Sequence, residues 1–93
     1  MTLTLVLLVK IPPDGIASFN EYEDLVLPLV KNHSGRIQQR MRTLDQTTEL
    51  HILSFESQSG FDNFLADPRR ERHRHLLQNS KAISELFKME HVS

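Results

Sequence analysis

The pattern of hydrophobic and polar positions predicts four strands in this chain of 93 residues. Residues 2–11 carry apolar side chains at both parities, which is typical of a strand buried on both faces. Residues 36–44 and 48–56 alternate with a period of two around a short polar turn, so they predict a hairpin. Residues 84–92 alternate again and predict the last strand.

Two helical segments are predicted between these strands. The first is expected to begin at a capping box opened by Ser18 and to carry Tyr22 on its apolar face. Glu23, beside Tyr22, is expected to be solvated. Pro28 is expected to kink or break this helix, because proline lacks a backbone donor. Gly35 is the predicted stop.

The second helical segment contains a basic run, RRERHRH, at residues 69–75. Its first part is expected to be capped by Ser59, and a new helix is expected to begin at Asp67. His73 and His75 are two positions apart and would point about 200° apart around a helix axis, which argues against a shared metal ion. The run is interpreted as a solvated helix whose arginines pair with nearby carboxylates.

The order β-α-β-β-α-β predicts a single domain over residues 1–93 with a ferredoxin-like α+β sandwich. Right-handed crossovers give an antiparallel sheet in the order 4-1-3-2, with both helices on one face. The other face is also apolar, because the third strand places Leu50 and Ile52 on one side and Leu53 and Phe55 on the other. Two such sheets packed face to face in a homodimer would cover it.

Composition narrows the classes of function. The net charge is −1 and there are no cysteines, so disulfides and thiolate metal sites are excluded and no global field attracts nucleic acid. Most aromatic side chains fall on helical apolar faces, so RNA binding is not predicted. The N-terminal apolar run is short and lacks a preceding basic residue, so neither a signal peptide nor a membrane span is expected. A cytoplasmic location is predicted.

Two segments resemble the dimeric α+β barrel superfamily. EYEDLVLPLVKNHSGRI at residues 21–37 is similar to the tyrosine-bearing first helix of its short members, which ends at a glycine before a strand. LHILSFESQSGFDNFLADPRRE at residues 50–71 resembles their third strand and second helix. The resemblance is greatest to a family of unknown function near the NIPSNAP-like and antibiotic-biosynthesis-monooxygenase groups. Such families commonly carry an aromatic residue and a tyrosine after the third strand, where this chain has Phe64-Leu65 and then arginine or glutamate at 70–71.

The resemblance implies a cavity, between sheet and helices or inside the barrel, that holds a small organic molecule. His51 is the predicted catalytic acid or base, because an imidazole among apolar groups can titrate near neutral pH. The predicted substrate-binding residues are the side chains nearest such a cavity: Arg40, Arg42, Tyr22, Phe55 and His91. Of these, Arg40 is expected to hold a carboxylate through two parallel hydrogen bonds.

Other interpretations of the same residues stay open. His51 could be a half-buried histidine with a backbone partner, and the two arginines could protect an edge strand from aggregation. The whole protein could be a non-catalytic module for ligand sensing or protein interaction. No metal and no cofactor are predicted. Some superfamily relatives bind haem through a histidine, and nothing in this sequence singles out such a ligand.

Overall fold

The computed structural model describes residues 2–92, which form one four-stranded antiparallel sheet with helices against it. The strands are β1 (Leu3–Lys10), β2 (Gly35–Arg42), β3 (Thr48–Phe55) and β4 (Ile83–Met89). They lie in the order β2-β3-β1-β4, which is the predicted order 4-1-3-2 seen from the opposite edge. The ferredoxin-like α+β fold predicted from the sequence is therefore confirmed.

The helical segments lie across one face of this sheet. They are α1 (Ile16–Val26), α2 (Gln58–Leu65), α3 (Pro68–Arg72), α4 (Arg74–Ser80) and the 3-10 segments Pro13–Gly15 and Leu27–His33. The core lies between them and the sheet, where Leu5, Leu53 and Phe55 of the central strands pack against helical residues such as Phe61. Within residues 2–92, every helix is too short or too polar to span a bilayer.

The first helix starts earlier than the predicted capping box. α1 begins at Ile16, so Ser18 lies inside its first turn and the predicted cap is wrong. The Ser18 hydroxyl instead donates to the carbonyl oxygen of Leu76 at 2.7 Å, which joins α1 to α4. The predicted break at Pro28 is confirmed, because α1 ends at Val26 and a 3-10 segment follows.

The caps of the second helical region fit the predictions in part. Ser57, rather than Ser59, caps α2, and its hydroxyl oxygen accepts from the Gly60 amide at 3.1 Å. Asp67 caps α3 as predicted, and its carboxylate accepts from the Arg69 amide at 2.8 Å. A serine two residues earlier has the same capping chemistry, so residue type alone could not separate the two serines.

Two small residues, Ser34 and Gly35, form the turn before β2 and meet different steric requirements. Ser34 ends the 3-10 segment in the left-handed conformation, with φ of 59°. Gly35, the predicted stop, instead begins the strand. A Cβ atom at Gly35 would lie 2.6 Å from the ring of Phe55 and 2.7 Å from the side chain of Val30. Glycine is therefore required there for close packing rather than for a positive φ.

A bulge interrupts the alternation of β2. Strict alternation would place Ile37 and Met41 on one face of the sheet. Ile37 lies opposite Leu53 and Met41 lies opposite Leu50, because the register shifts between Ile37 and Gln39. The two side chains therefore face opposite sides, and the bulge re-aims the second half of the strand.

The sheet face away from the helices is apolar, as predicted. Its large exposed side chains are Met41, Ile83, Phe87 and Met89. Val6 of β1, which pairs with Phe87, contributes to the same face and is only half-buried. Large exposed apolar faces are common at protein interaction surfaces.

Candidate functional site

A cavity of about 240 Å³ lies between the sheet and the helices. Most of its lining side chains are apolar and come from β1, α1, β3, α2, α4 and β4. Five polar side chains also line it: Tyr22, Glu23, His51, Arg70 and Ser84. A concave, mostly apolar space with a few polar groups is typical of small-molecule sites.

Helix α1 carries Tyr22 and Glu23 to the cavity. The buried residues of this helix are Phe19, Tyr22, Glu23 and Val26. Their spacing of three and four residues is that of one helical face, so Glu23 lies on the stripe that packs on the sheet. Only 6% of Glu23 is exposed, and the prediction of a solvated side chain is wrong. The spacing was the signal that could have found it.

Glu49 is held by three cationic or donor side chains. It is buried on the helix-covered face of β3, two residues from His51. Arg42 approaches one carboxylate oxygen at 2.6 Å, and Arg40 lies 3.3 Å from the other, which also contacts Nε2 of His51. Burial raises the pKa of Glu49, but hydrogen bonds from His51 and Arg42 outweigh it and bring the pKa to about 2. Glu49 is therefore ionised.

The contact with Glu49 assigns the tautomer of His51. An ionised carboxylate only accepts hydrogen bonds, so Nε2 of His51 carries the proton that it donates to Glu49. Nδ1 is buried and has no partner within residues 2–92. His51 is fixed in orientation by this one contact and lies on the wall of the cavity.

Glu23 lies beside this pair and differs from Glu49 in its surroundings. Its Oε2 is 3.8 Å from Nε2 of His51. Burial raises the pKa of Glu23 to about 7, and the charge of Glu49 adds to the rise. Interactions with His51, Arg40 and Arg70 oppose the rise without cancelling it. Near neutral pH the carboxyl therefore exchanges between its protonated and ionised forms.

Arg70 points inward from the basic run at residues 69–75, where a solvated arginine was expected. Its Nη1 donates to the Leu65 carbonyl at 2.8 Å, and its Nη2 lies 3.4 Å from the Tyr22 hydroxyl. The guanidinium carbon lies 4.9 Å from the centre of the Phe64 ring, in a cation–π contact. Nε is buried and has no acceptor within residues 2–92. Burial raises the pKa of Tyr22, although the Arg70 charge works against the rise.

The structure brings together two of the residues predicted to form the site. His51 and Tyr22 both line the cavity. Arg40 and Arg42 lie next to the site, but their guanidinium groups are engaged with Glu49 rather than directed to the cavity.

The other two predicted residues lie elsewhere. Phe55 is buried in the core, with its ring centre 5.4 Å from that of Phe61 and 5.7 Å from that of Phe64. His91 is exposed beyond the end of β4 and is not among the lining residues.

The donor atoms of Glu23, Glu49 and His51 lie within 4.8 Å of one another, a spacing that a metal ion could bridge. Both oxygens of Glu49 already contact cationic groups, Arg42 at one and Arg40 at the other. A divalent ion would meet the repulsion of these guanidinium groups or have to displace them. The donor set therefore suits protons better than a metal.

No protein-family model matches the chain, and no curated protein matches it significantly. Among solved structures, it is similar to a proposed antibiotic biosynthesis monooxygenase from Bacteroides thetaiotaomicron, with a TM-score of 0.80 and 9% identity, covering 99% of this chain and 90% of that one. It is similar to SnoaB, a cofactor-independent oxygenase from Streptomyces nogalater, with a TM-score of 0.72 and 20% identity, covering 98% and 95%. A nipsnap family protein with unknown function from Agrobacterium tumefaciens gives a TM-score of 0.66 and 15% identity, covering 98% and 91%.

Because the sequence identities to these structures are low, the similarity shows a shared fold only. The neighbours belong to the antibiotic-biosynthesis-monooxygenase-like and NIPSNAP groups that the sequence resemblance indicates. The chain therefore shares with these structures a ferredoxin-like α+β fold.

Proposed function

We propose that the cavity binds a small organic molecule and that Glu23 exchanges a proton with it. The observation that carries the proposal is a buried carboxyl with a pKa of about 7 on the wall of an apolar cavity. A group whose pKa lies near the working pH can accept and donate a proton in turn, which is the requirement of general acid–base catalysis.

The size of the cavity limits the ligand. An apolar cavity of about 150 Å³ is enough to hold benzene, and this one measures about 240 Å³. Drug-sized ligands occupy cavities of about 300–1,000 Å³. The ligand is therefore a molecule of about one substituted ring, whose apolar part contacts side chains such as Leu53 and Phe61.

His51 keeps its predicted catalytic role as the partner of Glu23. Its Nε2–H points at Glu49 and lies 3.8 Å from Glu23, so its dipole favours the ionised form of either carboxyl. When Glu23 gives up its proton, His51 stabilises the carboxylate that remains. Glu49 fixes the imidazole in the orientation that this role requires.

The proposed step is a reversible proton transfer. An acidic C–H or O–H of the ligand loses its proton to the Glu23 carboxylate, and the bonding electron pair stays on the ligand. Return of the proton to the same or to another atom completes exchange or isomerisation. The description of SnoaB as a cofactor-independent oxygenase supports the proposal that this fold can activate a ligand with protein groups alone.

In this proposal the protein works as a homodimer. The exposed side chains of Ile83, Phe87 and Met89 give the sheet an apolar face opposite the cavity. Packing of a second copy against this face would remove it from water without covering the helices.

Deuterium exchange into the methyl group of acetophenone, followed by proton NMR in D₂O, tests the proposal. Wild-type protein is expected to accelerate the exchange, and E23Q is expected to lose about 100-fold or more of the acceleration. D24N removes the charge of the exposed neighbouring carboxylate and should exchange like wild type. Equal rates for E23Q and wild type would refute the role of Glu23. Binding without any exchange would instead support a ligand-sensing module.

A further inference from the structure

We propose that Nε and Nη2 of Arg70, together with the Tyr22 hydroxyl, form a carboxylate-binding subsite in the cavity, so that the ligand is a small organic acid. This inference rests on the proposed function of the cavity and adds the chemical class of its ligand.

The guanidinium of Arg70 has donors without acceptors. Nη1 is satisfied by the Leu65 carbonyl at 2.8 Å. On the other edge, Nη2 has only the Tyr22 hydroxyl at 3.4 Å, and buried Nε has no acceptor within residues 2–92. A buried donor that lacks a partner is rare in folded proteins, because it has given up its hydrogen bonds to water. An acceptor brought by a ligand would satisfy this edge.

The neighbouring arginine shows which acceptor fits. Arg69 uses the same edge to hold a carboxylate, since its Nε donates to one oxygen of Asp67 at 3.1 Å and its Nη2 donates to the other at 2.7 Å. Two parallel hydrogen bonds of this kind match the planar geometry of a carboxylate. Arg70 has no such protein carboxylate within residues 2–92, and it lines the cavity.

The surroundings of Arg70 strengthen the case for an anionic ligand. It is the only lysine or arginine among the described residues that line the cavity. The Phe64 ring lies under the guanidinium and limits its movement. Arg40 and Arg42 are engaged with Glu49, so they are not free to take this role. In an apolar cavity, a hydrogen-bonded ion pair is stronger than it is in water.

The subsite is electrostatically linked to Glu23. The charge of Arg70 lowers the pKa of Glu23, as do His51 and Arg40, while the charge of Glu49 raises it. A carboxylate bound at Arg70 would cancel the effect of that arginine and raise the pKa of Glu23. Binding of an acid at neutral pH should therefore be accompanied by uptake of a proton from the buffer.

Calorimetric titration with 4-acetylbenzoate and 4-acetylbenzamide tests the subsite, because the two probes share a ring and an acetyl group and differ in charge. Wild type is expected to bind the carboxylate about tenfold or more tightly, with proton uptake that is absent in E23Q. R70Q should lose the preference and keep its affinity for the amide. R72Q changes an exposed arginine of the same helix and should keep the preference. R70K retains the charge but not the paired donors, so it should keep only part of the preference for the carboxylate.

Failure of the subsite can be told apart from failure of the proposed function. No preference in wild type, or an undiminished preference in R70Q, overturns the subsite. Glu23-dependent deuterium exchange into the acetyl group of both probes would leave the proposed function standing in that case. Tight binding that depends on Arg70, without exchange that depends on Glu23, would uphold the subsite and overturn the proton transfer.

Discussion

Oε2 of Glu23 lies 3.8 Å from Nε2 of His51, and the same nitrogen contacts Glu49. Two buried carboxyls therefore lie beside one imidazole nitrogen. Burial raises the pKa of both, but hydrogen bonds from His51 and Arg42 bring that of Glu49 to about 2, while that of Glu23 reaches about 7. Two carboxyls whose surroundings push their pKa values apart are a recurrent arrangement in acid–base sites.

Replacement of Glu23 should change how stability depends on pH. The pKa of Glu23 is raised from 4.5 to about 7 in the folded chain, so the folded state holds this proton more tightly than the unfolded state. The contribution of Glu23 to the free energy of unfolding is complete below about pH 4.5. It falls by about 3 kcal/mol as the pH rises through about 7. E23Q should therefore gain stability relative to wild type across this range. Denaturant unfolding at several pH values measures the difference, and a difference that does not change with pH would contradict the assignment.

Replacement of Glu49 should destabilise the fold strongly. E49Q leaves Arg40, Arg42 and His51 around a neutral group, and removal of one partner from a buried ion pair costs about 3–5 kcal/mol. E21Q, at an exposed position of α1, should change stability by less than about 0.5 kcal/mol. The pKa of Glu49 is lowered from 4.5 to about 2, so wild type loses the stabilisation from Glu49 as the pH falls below about 4.5. The difference in stability between E49Q and wild type should therefore shrink over this range. An E49Q protein as stable as wild type at pH 7 would refute the network.

The apolar sheet face should hold two copies together. Wild type is expected to have twice the mass of one chain by size-exclusion chromatography with light scattering at micromolar concentration. F87E places a charge on this face and should shift the protein towards monomer. L44E changes a fully exposed apolar side chain in the β2–β3 hairpin, outside the strands that form the face, and should remain dimeric. A monomeric wild type would contradict the homodimer.

Gly35 should tolerate no side chain. A Cβ atom would lie 2.6 Å from the Phe55 ring, and overpacking of a core usually costs about 1–3 kcal/mol. G35A is therefore expected to lower the free energy of unfolding by this amount. S34G places glycine at the adjacent left-handed position and should change stability by about 1 kcal/mol or less. Thermal unfolding compares the two variants, and an unchanged G35A would show that the ring can move aside.

The fold could be predicted from the sequence because its signals are local. The pattern of apolar and polar residues predicted the strands, Pro28 marked the break after α1, and Asp67 marked the start of α3. The bulge in β2 has no such signal, because it depends on pairing with β3. It places Ile37 on the opposite face from the one that strict alternation predicts.

The site was less predictable because its electrostatics arise between distant segments. Glu23 is buried by helix packing, and its pKa depends on Glu49 and His51 of a strand more than 25 residues away. Arg70 turns inward, where its guanidinium contacts Tyr22 of α1 and Phe64 of α2, and these contacts depend on how the helices pack. The family resemblance did mark the position of Arg70 as unusual, but it could not show the direction of the side chain.

The most direct test of the account is the titration of the Glu23 carboxyl itself. Carbon-13 NMR of protein labelled in its glutamate side-chain carboxyls follows each group with pH, and E23Q identifies the signal of Glu23. A midpoint near 7 is predicted, because burial of this carboxyl outweighs the opposing effects of His51, Arg40 and Arg70. A midpoint near the ordinary value of 4.5 would mean that Glu23 is ionised throughout the neutral range, and the proposed proton exchange would lose its basis.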